Sequence, residues 1–353
     1  MQQLTKTSFA LQFEVPSSLR EKFIFEAGQY VGLRFIHEGR QVINDYSFTS
    51  APHEGTLEIA VRFHPDFGSS KSLSEICSTG SFLEVSEPKG RFTLVTKPHE
   101  FRTIVGFAAG IGITPIFSHI KNLLFTEPRT RIFLFYGNKN PSETVFRKEL
   151  DQLALDSGGR FQIHYFFTQD ESVKGFFAGR IDLHKVKLII NQILNYDDTD
   201  EESTIWDAVD EVLICGSGPF IKELANASFE NGIPKRNIHF ELFEEFNEDI
   251  YPMEVEFPLI ENVTVKYVLD GSDYTTVLEN NSAKILQSLL ELGMPVPFSC
   301  KSGICGSCIC TLKKGDVELL ENEYLTESEE RSGKILACMS FALDKNIELD
   351  FDE

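Results

Sequence analysis

Phe298-Ser299-Cys300-Lys301-Ser302-Gly303-Ile304-Cys305-Gly306-Ser307-Cys308 decides how the C-terminal part of the chain is read. The spacing is Cys300-x4-Cys305-x2-Cys308, followed by 29 intervening residues to Cys338. A two-iron cluster needs four thiolates that converge on a small core. A tight loop supplies three of them and a distant strand closes the cage. Gly303 and Gly306 let backbone amides approach the sulfurs and hydrogen-bond them. Structural zinc usually takes paired C-x2-C knuckles, and this stretch offers a single such pair. The pattern predicts a [2Fe–2S] centre held by Cys300, Cys305, Cys308 and Cys338.

The rest of the composition bounds what surrounds that loop. The chain has 353 residues, room for two or three domains, with 42% apolar and 25% charged residues, as in an ordinary globular protein. The net charge of −21 repels phosphate backbones and argues against a nucleic-acid partner. No apolar run is long enough to span a membrane, and Met1 to Lys6 lacks the apolar core of a signal peptide. Seven cysteines without such a leader point to a reducing, cytoplasmic setting rather than a disulfide framework. Cys77 and Cys310 are read as small apolar residues.

Residues 1–97 read as short strands, among them 9–15, 30–35 and 57–63, cut by Gly and Pro, which predicts a small antiparallel barrel. Residues 98–245 change rhythm. Buried-strand runs at 103–107, 131–136, 161–167 and 212–215 alternate with helical stretches such as 116–124, the pattern of a parallel α/β sheet. Residues 246–261 read as an acidic linker. Residues 262–353 form an α+β unit that opens with strands 263–269 and 274–278 and a helix over 284–292. Two acidic stretches, 195–211 with eight Asp/Glu and 240–256 with seven, read as solvated loop.

The cysteine loop and its lead-in resemble plant-type ferredoxin domains, which implies a β-grasp fold for the third unit. The similarity continues upstream. Asn44-Asp45-Tyr46-Ser47-Phe48-Thr49-Ser50 resembles the R-x-Y-S-x-x-S motif of the ferredoxin–NADP reductase superfamily. Ala27-Gly28-Gln29-Tyr30, Gly68-Ser69-Ser70-Lys71-Ser72-Leu73 and Pro88-Lys89-Gly90-Arg91-Phe92 supply matching flanks. The resemblance implies that Tyr46 packs on the flavin ring, that Ser47 lies near its N5, and that residues 44 to 50 line the flavin. It further implies that Gly68, Ser69 and Ser70 offer a helix N-terminus to the phosphate. An aromatic face supports a planar ring, and a short hydroxyl reaches a redox-active nitrogen. Asn44 stands where the family has an Arg on the pyrophosphate, so Arg62 is the first substitute cation, with Arg40 and Arg91 behind it. FAD is the expected flavin and FMN stays open.

Phe107-Ala108-Ala109-Gly110-Ile111-Gly112-Ile113-Thr114-Pro115 resembles the family's G-x-G-I-T-P turn, where Gly110, Ile111, Gly112, Thr114 and Pro115 bring backbone amides to a dinucleotide pyrophosphate. Asn138 and Lys139 fall where the adenosine ribose is read. Lys139 favours NADPH, Glu143 opposes a 2′-phosphate, and NADH stays open. Cys215-Gly216-Ser217-Gly218-Pro219-Phe220 resembles the turn facing the nicotinamide, through Cys215, Gly216, Gly218 and Pro219. Phe243 is a candidate to cover the flavin's other face. The domain order matches oxygenase reductases, and the local sequences are most similar to the reductase component of phenylacetyl-CoA epoxidases. The implied activity is hydride delivery from NAD(P)H to flavin, with Tyr46, Ser47 and Cys215 at the chemistry, then single electrons through the cluster to a partner oxygenase. A reductase of a Rieske or other oxygenase using FMN and NADH, and a non-enzymatic cluster-binding redox sensor, are the alternatives.

Overall fold

A computed structural model describes residues 1–189, 209–244, 246, 248–251, 257–298, 301, 303, 306–320, 322 and 324–352. The chain divides into two units, Met1–Glu245 and Phe246–Glu353.

The first unit opens with β1 (Gln2–Thr5), β2 (Ser8–Phe13), β3 (Tyr30–His37), β4 (Arg40–Ser47), β5 (Leu57–Arg62) and β6 (Glu84–Val85). These pair antiparallel in the orders β1-β2-β5 and β4-β3-β6, and an isolated bridge between Phe48 and Ile59 joins the two sheets. Alternation drives this barrel. Val31, Leu33 and Phe35 point to one side of β3 and meet Phe9, Phe48, Ile59 and Val61 in a closed core. Helix α1 (Ser69–Ile76) seats Leu73 in that core.

Beyond the barrel come β7 (Thr103–Ala109), α2 (Ile113–Thr126), β8 (Arg131–Asn138), α3 (Arg147–Asp156), β9 (Phe161–Phe167), α4 (Leu183–Leu188), β10 (Val209–Gly216), α5 (Gly218–Glu230) and β11 (Ile238–Leu242). The strands are parallel in the order β11-β10-β7-β8-β9. Residues 103–108 of β7 are buried, the mark of a strand covered on both faces. The chain moves outward from β7 to β8 on one side and returns as β10 on the other. The switch point, and with it the crevice for a ligand, therefore lies at the C-terminal ends of β7 and β10.

The second unit contains β12 (Glu261–Leu269), β13 (Ser272–Asn280), α6 (Ile285–Glu291), β14 (Ile309–Lys314), β15 (Val317–Leu319), α7 (Glu327–Arg331), β16 (Lys334–Leu336), β17 (Ser340–Ala342) and β18 (Asn346–Asp350). Its mixed sheet runs β13-β12-β18-β14-β16, with β12 and β18 parallel. Ile285, Leu286 and Leu289 of α6 fill the core against Val263, Val265 and Cys310. This is the β-grasp arrangement. Cys310 is fully buried and Cys77 nearly so, both as apolar fillers. Residues 195–208 of the first acidic stretch lie outside the described residues. Among the described residues no helix is long and apolar enough to cross a membrane.

Candidate functional site

The barrel and the parallel sheet meet around one seryl hydroxyl. Ser47 ends β4, is buried, and donates through Oγ to Glu241 Oε2 at 2.9 Å. Glu241 sits on β11 directly beside Cys215 of β10, in register. Enclosure of the Glu241 carboxyl pushes it up to about 8, against the pull of the Ser47 hydrogen bond, and nearby Asp45 adds to the rise. Burial pushes the Cys215 thiol well above its ordinary range, and Glu241 adds to this. A neutral acid, a hydroxyl and an un-ionised thiol thus share one spot at the end of the sheet. That environment suits the arrival of negative charge.

The glycines show what must fit around them. A Cβ on Gly112 would lie 2.4 Å from the Cys215 carbonyl oxygen, and one on Gly216 2.6 Å from the Phe220 ring. Only glycine lets the β7–α2 and β10–α5 turns close on each other. Gly110 has φ +56°, and Arg62 Nη1 of the barrel lies 3.1 Å from where its Cβ would be. Tyr136 donates to the Gly110 carbonyl at 2.8 Å, and Thr114 Oγ1 donates to that of Ile111 at 3.1 Å, so the turn is fixed from both sides. Pro115 is buried in the first turn of α2, and Gly218 and Pro219 open α5. At the end of β8, Asn138 is buried with its side chain beside the Tyr136 hydroxyl, and Lys139 is exposed. Glu143 accepts from Thr7 of the barrel at 3.1 Å.

A second polar cluster lies on the barrel. Asn44 Nδ2 donates to Ser69 Oγ at 2.7 Å and to the Tyr46 hydroxyl at 3.3 Å, and Tyr46 meets Ser70 at 3.3 Å. Gly68, at φ +94°, turns the chain into α1 just ahead of these serines. Uncapped amides, two hydroxyls and an amide donor form a set that suits a phosphate. Burial raises the Tyr46 phenol, which keeps it neutral.

Of the expected flavin segment, Phe48, Thr49 and Ser50 have side chains committed inside the fold. Phe48 packs on Phe25 at 4.2 Å, Thr49 donates to Glu58 at 2.8 Å, and Ser50 Oγ accepts from the Glu58 amide at 3.0 Å. Arg62 Nη1 stands over Gly110, at the β7–α2 turn. Phe243 lies just past β11 and is exposed. Glu241 was not singled out by sequence, because it falls in an acidic stretch read as solvated loop. Its place on β11, whose Ile238, Phe240 and Leu242 alternate as in a strand, was the available signal.

In the second unit, Cys300 and Cys305 lie outside the described residues. Cys308 and Cys338 are buried. The Cys338 amide donates to Cys308 Sγ at 3.4 Å, and the Gly303 amide donates to Cys338 Sγ at 3.3 Å. Gly303 and Gly306 take φ +74° and +66°. Two thiols that accept amide hydrogen bonds in a left-handed, glycine-bearing loop fit the demands of a thiolate-ligated cluster.

Comparison with known proteins matches three family models in order along the chain. These are an oxidoreductase FAD-binding domain at residues 2–94, an oxidoreductase NAD-binding domain at 107–226, and a 2Fe-2S iron-sulfur cluster binding domain at 268–343. One component of the 1,2-phenylacetyl-CoA epoxidase of Escherichia coli (strain K12) is 28% identical, over 99% of this chain and 94% of that one. The ferredoxin reductase component of 3-ketosteroid-9-alpha-monooxygenase from Rhodococcus rhodochrous is 28% identical, over 98% and 93%. An intact type IV self-sufficient cytochrome P450 monooxygenase shares the fold across 99% of this chain and 40% of its own, with TM-score 0.59 and 20% identity.

Proposed function

We propose that the chain is an NAD(P)H-dependent flavin and [2Fe–2S] reductase that passes electrons to a partner oxygenase of the phenylacetyl-CoA epoxidase kind, a reading supported by its FAD-binding, NAD-binding and 2Fe-2S domain matches and by its relatives. The observation that carries the redox part of this reading is the convergence of Ser47 from the barrel with Glu241 and Cys215 from the sheet. When bound, FAD supplies the exchange between two-electron and one-electron chemistry, and the cluster carries single electrons. The residues do the rest. Tyr46 supports the ring and Ser47 holds a hydroxyl toward its reactive edge. Glu241 keeps a proton beside Ser47, and Cys215 with the Gly216–Pro219 turn orients the nicotinamide. Gly110–Pro115 and Arg62 take the dinucleotide pyrophosphate. Asn44, Ser69 and Ser70 take the flavin phosphate, and Cys300, Cys305, Cys308 and Cys338 hold the iron. The test is anaerobic mixing of the purified protein with NAD(P)H. Rapid bleaching of the flavin followed by cluster reduction supports the reading, and a stable cluster with no NAD(P)H oxidation would make the protein a sensor. Capture of a di-iron or Rieske oxygenase from the native host then identifies the acceptor.

Two predictions concern the ligand contacts. Asn44 offers a neutral donor where a guanidinium would offer charge, so Asn44→Arg is expected to tighten FAD binding roughly 5–30-fold, after solvent screening. Fluorescence recovery on dilution reads the dissociation constant, and no tightening at low or high salt means that another cation already neutralises the phosphate. The second concerns the coenzyme. The Thr7 hydrogen bond fixes the Glu143 carboxylate near the end of β8. Glu143→Gln is therefore expected to raise the NADPH-to-NADH ratio of kcat/KM roughly tenfold, the size of one charged contact. An unchanged ratio would place the 2′ position out of reach of residue 143.

A further inference from the structure

Lys284 is buried, 6% exposed, at the edge of a mainly apolar core that also encloses Asn281 and Ser340. Buried ammonium groups need partners. Its Nζ lies 2.9 Å from Asp249 Oδ1 and 3.8 Å from Met339 Sδ. Met339 follows the cluster cysteine Cys338 directly, and the Leu286 amide, two residues after Lys284, donates to Ala337 just before it at 3.0 Å. The lysine head therefore meets the side chain that follows Cys338, and the start of its helix is hydrogen-bonded to the residue that precedes it. Asp249 belongs to the acidic stretch before the β-grasp, yet the described residues beside it are packed. Ile250 and Tyr251 are buried, and Phe257 packs on Phe341 at 5.3 Å. Asn281 Nδ2 donates to the carbonyls of Pro258 and Ala342 at 3.1 and 2.9 Å, and the Ile260 amide donates to its Oδ1 at 2.9 Å.

We infer that Lys284 and Asp249 are positioning residues that set how readily the cluster accepts an electron, with the docked 249–251 segment supplying the charge that partly neutralises the lysine. The step adds one electron to the cluster and makes or breaks no bond. The added negative charge is stabilised by a nearby buried cation and opposed by a carboxylate, since charges act strongly where water is excluded. Lys284 thus favours the reduced cluster and Asp249 moderates it. The inference rests on the four-cysteine cluster of the proposed function.

The test is a mediated redox titration of the full-length holoprotein at neutral pH, read by cluster absorbance and electron paramagnetic resonance. Lys284→Met is expected to shift the reduction equilibrium about tenfold toward the oxidised cluster, which for one electron is about 59 mV lower in midpoint potential. Lys284→Arg is expected to restore the wild-type value, and Asp249→Asn to shift the midpoint upward. A cluster-bearing Lys284→Met protein with an unchanged midpoint overturns the inference, as does a shift in the same direction for Lys284→Met and Asp249→Asn, which mere loosening would give. If Lys284→Met fails to fold, Asp249→Asn decides alone, because its side chain is partly exposed and easily accommodated. A wild-type protein without a cluster signal would instead remove the four-cysteine reading itself.

Discussion

Cys338→Ser is expected to remove the cluster signal and lower NAD(P)H-to-cytochrome c activity roughly a hundredfold, because a serine hydroxyl does not replace a thiolate ligand. NAD(P)H-to-ferricyanide activity is expected to survive, since ferricyanide can take electrons from the flavin and the flavin belongs to the other unit of the chain. On the proposed ligand set Cys338 would close the cage from the far end of the sequence, and its sulfur accepts from the Gly303 amide. Its replacement therefore affects the distant ligand and the loop together. Flavin absorbance and cluster electron paramagnetic resonance, read on the same sample, separate loss of metal from loss of fold. Retained flavin with retained cytochrome c activity would mean that electrons leave without passing the cluster. Loss of both activities with flavin still bound would contradict the order flavin, then cluster.

How much of this was legible in the sequence depends on how local each feature is. The cluster spacing, the Gly110–Gly112 turn and the buried run of β7 are short-range patterns. A loop either has the glycines and cysteines at workable intervals or it does not, and a strand covered on both faces reads as continuous apolar residues. The short β-rich runs at 30–35 and 57–63, cut by Gly and Pro, gave the barrel for the same reason. Tertiary register is harder. Phe48, Thr49 and Ser50 stand in the flavin motif, yet their side chains turn into the fold, with Thr49 and Ser50 pairing with Glu58 on β5, which the motif does not encode. Arg62 was assigned to a phosphate from its strand. The structure puts its guanidinium at Gly110 of the β7–α2 turn, a long-range contact that the strand sequence does not encode.

Charge runs were the least legible part. A stretch of seven acids looks solvated when only composition is weighed. Residues 240–256 contain two acids that contradict this. Glu241 is on β11 beneath the site, bonded to a serine 194 residues away. Asp249 neutralises a buried lysine. In both cases the partner is remote in sequence, so only the fold brings the pair together.

Glu241 also gives the second large effect. Its carboxyl titrates near 8 rather than near 4.5, chiefly because it is enclosed. At neutral pH it is mostly protonated, so a flavin held beside Ser47, as proposed, would be reduced next to a neutral acid. Above pH 8 the same step meets a carboxylate. Opposition from one charge at about 6–8 Å in a medium of effective dielectric near 20 is about 2–3 kcal/mol, roughly thirty- to a hundredfold in rate. The rate of flavin bleaching by NAD(P)H, followed by stopped flow between about pH 6 and pH 9.5, is expected to fall by that factor through an apparent pKa near 8. Glu241→Gln stays neutral and can still accept from Ser47, so its profile is expected to be flat. Stability follows the same group. With the folded pKa raised, the stabilising contribution is complete below about 4.5 and is lost progressively as pH rises to about 8. The wild type should therefore lose more Tm than Glu241→Gln over that window, and neither should show a further difference above it. A wild-type rate that is independent of pH, or a Glu241→Gln profile that keeps the same inflection, would assign the proton at this site to another group.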